Sequence, residues 1–246
     1  GWMFGSTFFH GTVGSFFTAP HHELCHRTVF KTKWLNESFL RIFSLLGWNN
    51  FEIYQFSHNY HHRFTLHPEG DREEVMPAIP SLRMLYLLQL LTLNIFGGYQ
   101  SKGILPTLQN FVLIAANRFD NPFNSWGEEL YSGYDEHRRR ASVWARITLL
   151  FHAVVISGSL AVGQPLLAVL VSGSPFIANF WRYIVGVPMH CGLKSNDTDF
   201  RKSVRTIILD PLSEFLYWHM NWHLEHHMFA GVPCYNLKAL HSATAD

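Results

Sequence analysis

The feature that most constrains this chain is a long uncharged run. The 35 residues between Arg146 and Arg182 include no Asp, Glu, Lys or Arg. A straight helix of that length would extend roughly 52 Å, whereas the hydrocarbon core of a bilayer is about 30 Å thick. Gly163-Gln164-Pro165 divides the run with turn-forming residues. The sequence therefore predicts two antiparallel membrane helices that form a hairpin, with the two arginines at their shared end.

The composition also favours a membrane protein. Charged residues make up 15% of the chain, against roughly 25% in soluble domains. A mean hydropathy of only +0.02 requires a substantial aqueous part beside the apolar segments. The formal net charge of +1 gives no electrostatic reason to expect nucleic acid as a partner. Three cysteines cannot build a disulfide framework, which indicates a reducing compartment.

Further apolar segments flank this hairpin. Residues 1–19 carry no charge and predict a first membrane helix. Since the chain begins inside this segment, we expect residues 1–246 to be a single domain that lacks an N-terminal segment of the full protein. Residues 84–101 and 104–117 could form a second hairpin or two helices lying in the interface, and both alternatives stay open. Trp34 to Asn50 predicts an amphipathic interfacial helix.

The polar segments suggest an orientation. Residues 119–143 and 194–202 are predicted to be loops, and His137-Arg-Arg-Arg140 lies just before the uncharged run. Basic residues collect on the cytoplasmic side of membrane proteins. Both alternatives for residues 84–117 return the chain to its starting side. The polar regions are therefore expected to share the cytoplasmic face.

Three histidine clusters carry the chemistry. They are His22-Glu-Leu-Cys-His26, His58-Asn-Tyr-His61-His62 and His223-Leu-Glu-His226-His227. Residues three or four apart share a helix face, so each cluster can direct its imidazoles to one place. Eight rings exceed what one metal of ordinary coordination can hold, which suggests two metals. With His190, which follows the predicted hairpin, the candidate metal ligands are His22, His26, His58, His61, His62, His190, His223, His226 and His227.

Several assignments within this pattern stay open. His21 could replace His22, although the four-residue step to His26 favours His22. An all-nitrogen ligand set suits iron, zinc or copper, and attack on the C–H bonds of an apolar substrate favours iron with O₂. Other polar residues could hold the far ring nitrogens, as metal-bound histidines require. The candidates are Glu23, Asn59, Asp71, Asn196, Asp199 and Glu225.

Two other functions fit parts of the sequence. His22-Glu23-Leu24-Cys25-His26 matches the HExxH pattern of zinc proteases, in which the glutamate is the general base. That hypothesis leaves the other two clusters mostly unexplained. A metal transporter would place ionisable groups along its membrane helices. Only His10 and His152 lie inside the predicted membrane segments, and both are predicted to have structural roles.

The clusters resemble those of the membrane fatty acid desaturase and hydroxylase superfamily. The family pattern is HxxxH or HxxxxH, then HxxHH, then a later HxxHH or QxxHH. His22–His26, His58–His62 and His223–His227 follow it in order and spacing. The stretch Asn221-Trp-His-Leu-Glu-His-His-Met-Phe-Ala-Gly-Val-Pro is similar to the third box and its tail. The resemblance also implies a further histidine between the last hairpin and the third box, for which His190 is the match. Some members place an Asn four residues before that histidine, where this chain has Gly186.

This resemblance implies a fold and an activity. The fold would be an all-α integral membrane protein, with transmembrane hairpins and a cytosolic helical cap that holds two non-haem irons. The chain would use O₂ to introduce a double bond into a lipid or fatty acyl chain, or, as the alternative, to hydroxylate it. A separate electron donor of the cytochrome b5, ferredoxin or rubredoxin type, with a reductase, is expected. The location would be the bacterial inner membrane or the endoplasmic reticulum, with the site facing the cytoplasm.

Overall fold

The described chain is built from helices. The computed structural model describes residues 2–73, 81–97, 103–120 and 126–244. The described residues are 66% helical and contain no strand. Leu93 and Ile177 form one isolated β-bridge. The α-helices of these ranges are α1 Trp2–Ser15, α2 Thr18–Cys25, α3 Lys33–Leu46, α4 Phe51–Phe64, α5 Met84–Leu91, α6 Ile104–Ala115, α7 Gly127–Leu130, α8 Asp135–Ala161, α9 Pro165–Ala168, α10 Phe180–Gly186, α11 Phe200–Ser203, α12 Pro211–Leu216, α13 His223–Met228 and α14 Leu237–Thr244.

The predicted first membrane helix is two helices. α1 ends at Ser15, and α2 begins after a short turn. α1 packs closely on the segment that follows α9, because the face of α1 in contact with it carries two glycines. A Cβ on Gly11 would lie 2.5 Å from the Ile177 Cβ, and one on Gly14 would lie 2.7 Å from the Ser174 Cβ. This close approach fixes where α2, the carrier of the first histidine cluster, begins.

The structure contains a long apolar helix and a turn where the hairpin is predicted, but the membrane hairpin itself is not confirmed. α8 has 27 residues and begins well before Arg146, so the predicted loop over 119–143 is wrong from Asp135 onward and also at the short helix α7. Residues 121–125 of that loop lie outside the described chain. Gly163 has a φ of +70°, which glycine adopts without strain, and it closes the turn. Among the described residues, α8 is the one helix long and apolar enough to cross a membrane, by length and composition.

The return arm differs from the prediction. It is helical over Pro165–Phe176, but the helix changes from α to a π turn over Val169–Gly173 and then to a 3₁₀ turn. Gly173 and Pro175 interrupt regular α hydrogen bonding there. The chain then leaves the helical path at Ile177 before α10 begins. Residues 165–181 therefore do not form the second long antiparallel helix that the sequence predicts.

The middle segments are short helices. α5 has 8 residues and α6 has 12, against about 20 for a membrane crossing. The end of the predicted segment 84–101 lies outside the described residues. The predicted amphipathic helix is confirmed as α3, which buries Leu40 and Ser44 and exposes Trp34. The predicted loop 194–202 contains the first three residues of the one-turn helix α11.

A buried histidine, through one ring contact and two hydrogen bonds, joins α8 to the end of α3. The His152 ring stacks on Trp48 with a centroid distance of 3.8 Å and an angle of 8°. Its Nε2 donates to the Leu45 carbonyl at 2.9 Å, which leaves Nδ1 to accept from the Ser172 hydroxyl at 2.9 Å. Both ring nitrogens are thus used by the fold. His10 likewise bonds the Leu170 carbonyl at 2.8 Å.

Candidate metal centre

Nine histidines converge on two neighbouring groups. The ligand nitrogens of each group lie within 4.8 Å of one another. The five-histidine group consists of His22, His26, His58, His62 and His226, and the four-histidine group consists of His61, His190, His223 and His227. These are the nine residues that the sequence predicted as ligands. His21 lies outside both groups, because its Nδ1 donates to Ser44 Oγ.

Three helices and one turn supply these side chains. α2 gives His22 and its C-cap residue His26 to the five-histidine group, while α4 and α13 each contribute to both groups. The two groups are therefore adjacent. The ring centroids of His62 and His227, one from each group, are 4.4 Å apart. Residues that are 165 positions apart in sequence thus meet in one site.

Neutral acceptors fix the tautomers of two histidines in the four-histidine group. His190 Nδ1 donates to the Ser203 carbonyl at 3.0 Å, because a carbonyl can only accept. His227 Nδ1 donates to Thr65 Oγ1 at 3.1 Å, since the Thr65 hydroxyl itself donates to the His61 carbonyl. In both rings Nε2 therefore keeps a free lone pair. These lone pairs face His223 Nε2, at 2.9 and 3.2 Å.

Carboxylates hold three further rings. His58 Nδ1 lies 2.6 Å from Glu73 Oε2, and His61 Nδ1 lies 2.8 Å from Asp71 Oδ2. His22 Nδ1 lies 2.9 Å from Glu23 Oε1. A carboxylate that accepts the Nδ1 proton leaves Nε2 free to bind a metal and makes it more basic. Each pair therefore prepares its imidazole as a ligand.

The inward nitrogens fit a pair of metal ions. His58 Nε2 is approached by the Nε2 atoms of His26 and His62 at 3.1 and 3.0 Å. His22 Nε2 and both ring nitrogens of His226 are buried without a hydrogen-bond partner. Buried polar atoms normally have partners, so these need another group to satisfy them. A cation among converging imidazole lone pairs provides that, and all-nitrogen ligation suits iron, zinc or copper.

Burial keeps most of these rings neutral. It lowers the pKa of eight of the nine histidines, to about 3 for His190 and about 4 for His26, and repulsion among the rings adds to the effect for most of them. Neutral imidazole is the form that binds metals. For His61 burial also acts to lower the pKa, but the charge of Glu73 and the hydrogen bond to Asp71 outweigh it and raise the pKa.

The position of Glu23 does not suit a zinc protease. In that mechanism the glutamate of HExxH acts on the metal-bound water. Here Glu23 bonds the Nδ1 of His22 and not the Nε2 side of the ring, where a metal would bind. Burial raises the pKa of this carboxyl to about 8. The geometry makes Glu23 a support for an imidazole and not a general base.

A short extended segment positions His190 beside the third cluster. The Arg205 N–H donates to the Met189 carbonyl at 2.9 Å, directly before His190. Two residues later, the Ile207 N–H donates to the Asn221 carbonyl at 2.9 Å, and Asn221 Nδ2 returns a bond to the Ile207 carbonyl. The segment thus joins the turn that carries His190 to the start of α13.

The polar residues predicted to support the rings divide into two sets. Glu23 and Asp71 bond ligand histidines, as described above. Asn59 and Asn196 are exposed, Asp199 caps α11, and Glu225 bonds Thr206 and His241. Sequence reasoning missed Glu73, Thr65 and the Ser203 carbonyl. A signal existed for Glu73, which lies two residues after Asp71 in the acidic stretch behind the second cluster.

A cavity of about 320 Å³ opens beside the histidines. Both groups contribute to its wall, the five-histidine group through His22 and His58 and the four-histidine group through His61, His190 and His223. Tyr217 also lines this cavity, and its hydroxyl lies 3.1 Å from where a Cβ on Gly186 would be. The tyrosine therefore occupies the space that a side chain at position 186 would need.

Fold and site together define an all-helical protein with a buried, histidine-only centre suited to two transition-metal ions. The fatty acid desaturase family model matches residues 1–246, and the chain belongs to that family. No curated protein matches the chain. Membership of this family indicates a lipid oxidoreductase, and the histidine groups are compatible with its metal site.

Proposed function

We propose that this chain is a membrane-bound, non-haem di-iron oxidoreductase that uses O₂ to introduce a double bond into a lipid or fatty acyl chain. The observation that carries the proposal is that two histidine groups share the wall of one cavity. A substrate held in this cavity would lie against both groups. We propose the nine histidines as the metal ligands.

The proposed roles of the residues follow from their contacts. Iron would supply the redox chemistry that O₂-dependent attack on an unactivated C–H bond requires. Asp71, Glu73 and Glu23 hold the imidazoles in the orientation that presents Nε2. The cavity wall would fix one part of the chain beside the ligands, and this placement would decide which C–H bond reacts.

We also propose that the protein spans a membrane. Within the apolar window of α8 only 28% is buried, whereas the core helix of a soluble protein is mostly buried. The exposed side chains include Leu150, Val154 and Leu160, and α1 exposes Phe4 and Phe9. Apolar surface of this extent favours contact with lipid. By the charge rule, Arg138–Arg140 at the start of α8 would place the histidine site on the cytoplasmic side.

The remaining parts of the proposal concern the whole protein. Residues 1–246 would form a single catalytic domain. Electrons would come from a separate cytochrome b5, ferredoxin or rubredoxin with its reductase, as is usual in this family. The membrane would be the bacterial inner membrane or the endoplasmic reticulum.

Two measurements test the function. Purified protein should contain about two irons per chain, and its expression should add an unsaturated lipid to the cell's profile by mass spectrometry. Labelling with oxygen-18 O₂ separates the two outcomes of the family, because only hydroxylation leaves the label in the lipid. A single zinc together with proteolytic activity would refute the proposal.

A further inference from the structure

Glu23 lies between two of the histidine clusters. Its side chain is almost wholly buried, with 1% of the residue exposed. One oxygen, Oε1, lies 2.9 Å from Nδ1 of His22 in α2 and 3.7 Å from Nδ1 of His226 in α13. A single carboxyl group thus faces the far side of two ligand rings that come from opposite ends of the chain.

His226 is the ring that most needs such a partner. Both of its nitrogens are buried and have no hydrogen bond. If Nε2 binds a metal, the proton must stay on Nδ1, and a buried N–H without an acceptor is unfavourable. Glu23 Oε1 is already within ion-pair distance of this atom, so a shift of under 1 Å would complete the hydrogen bond.

We propose that Glu23 is a positioning residue that His22 and His226 share, and that it tunes the five-histidine group alone. The proposal rests on the proposed function, in which these groups hold metal ions. One carboxylate would orient a ligand from the first cluster and a ligand from the third. It would thereby set the basicity of two of the five nitrogens around one metal.

The four-histidine group has a separate set of supports. His61 is held by Asp71, His190 by the Ser203 carbonyl and His227 by Thr65. Only one of these three acceptors is a carboxylate, whereas the five-histidine group has Glu23 and Glu73. The two metal positions are therefore inequivalent, and a change at Glu23 should be felt at one of them.

The substitution Glu23→Gln tests this with little change in volume. The full chain in detergent is titrated with Co²⁺ without O₂, followed by visible absorption and by metal analysis. The wild-type chain should bind two ions. We expect E23Q to lose about 10- to 100-fold in affinity at one position and to keep wild-type affinity at the other.

A matched control is Glu214→Gln. Glu214 is also buried, and its Oε1 lies 2.9 Å from Nδ1 of His219, the same distance as in the Glu23–His22 pair. His219 belongs to neither group, so E214Q should bind both ions as the wild type does. Thermal melting of each variant without metal checks that it folds.

A second variant keeps the proposal testable if E23Q does not fold. Glu23→Asp retains the carboxyl group but shortens its reach by one methylene, and it should weaken the same single position by a smaller factor. Wild-type affinity at both positions in E23Q or E23D would overturn the proposal, as would equal weakening of both. A wild-type chain that binds fewer than two ions would instead refute the proposed function.

Discussion

Asp71 gives the sharpest test of how the polypeptide supports the four-histidine group. Its carboxylate accepts three hydrogen bonds. Oδ2 accepts from His61 Nδ1 at 2.8 Å and from the Leu66 N–H at 3.0 Å, and Oδ1 accepts from the Glu73 N–H at 2.9 Å. Burial acts to raise the pKa of Asp71, but these hydrogen bonds outweigh it and lower the pKa. The group is therefore a carboxylate that orders both a loop and a ligand.

The loss of folding free energy in Asp71→Ala follows from the groups that would lose their hydrogen-bond acceptor. Two backbone N–H groups would lose their acceptor, at about 1–3 kcal/mol each, and His61 would lose a charge-assisted bond of about 1.5–3 kcal/mol. Water reaching the loop would recover part of this, so we expect a loss of about 3–6 kcal/mol. That is a large share of a stability of about 5–15 kcal/mol.

Asp71→Asn separates the loop from the ligand. The amide oxygen can take the place of Oδ2 and still accept from His61 and Leu66, while the NH₂ group would face the Glu73 N–H. We expect a loss of about 1–3 kcal/mol, together with a 10- to 100-fold weaker metal affinity at the four-histidine group. Denaturation followed by tryptophan fluorescence and Co²⁺ titration measure the two effects. An Ala variant within about 0.5 kcal/mol of wild type would refute the reasoning.

Three further predictions concern the histidines and the metals. His61→Ala or His226→Ala should abolish turnover, measured as lipid product, while the chain still fractionates with membranes; retained activity would contradict the ligand assignment. Removal of metal with a chelator should abolish activity and lower the melting temperature, and Fe²⁺ but not Zn²⁺ should restore activity; recovery with zinc alone would contradict the redox role. His152→Leu should destabilise the chain by about 2–4 kcal/mol through two lost hydrogen bonds yet leave metal content unchanged; loss of bound metal would show that His152 does more than join α8 to α3.

The sequence located the histidines well because their signal is local. Spacing of three and four residues fixes which rings share a helix face, and this spacing also favoured His22 over His21. The structure places His22 among the nine and turns His21 toward Ser44. His190 has no such motif, yet its position after the uncharged run was enough to suggest it.

The sequence failed where tertiary packing decides the conformation. The return arm beyond Pro165 is as apolar as a membrane helix, but Gly173 and Pro175 and the close approach of α1 interrupt it. Glu73 could not be assigned to His58 because the loop between them must fold back by a path that no periodicity encodes. The polar composition of residues 135–143 suggests a loop. In the structure these residues instead form the first turns of α8.

The way in which each HxxHH motif divides its histidines between the two groups follows from the spacing of the motif. In a helix each residue advances by about 100°, so residues four apart point only about 40° apart, whereas the last two histidines of the motif are neighbours in sequence and point about 100° apart. In α4 the pair His58 and His62 serves the five-histidine group, and His61 turns to the other. In α13 the roles reverse, because the pair His223 and His227 serves the four-histidine group and His226 turns away from it.

The two motifs are therefore complementary, and each helix contributes to both histidine groups. Together they supply three nitrogens to each group. The i, i+4 pair of α2 raises one group to five, and the other group reaches four only because the turn after α10 adds His190. A metal position with three ligands on two helices would depend on the relative placement of those helices alone. His190, fixed through the segment that joins Met189 to Asn221, adds a third attachment. His190 is thus held in place by the segment Arg205–Ile207, which bonds Met189 at one end and Asn221 at the other.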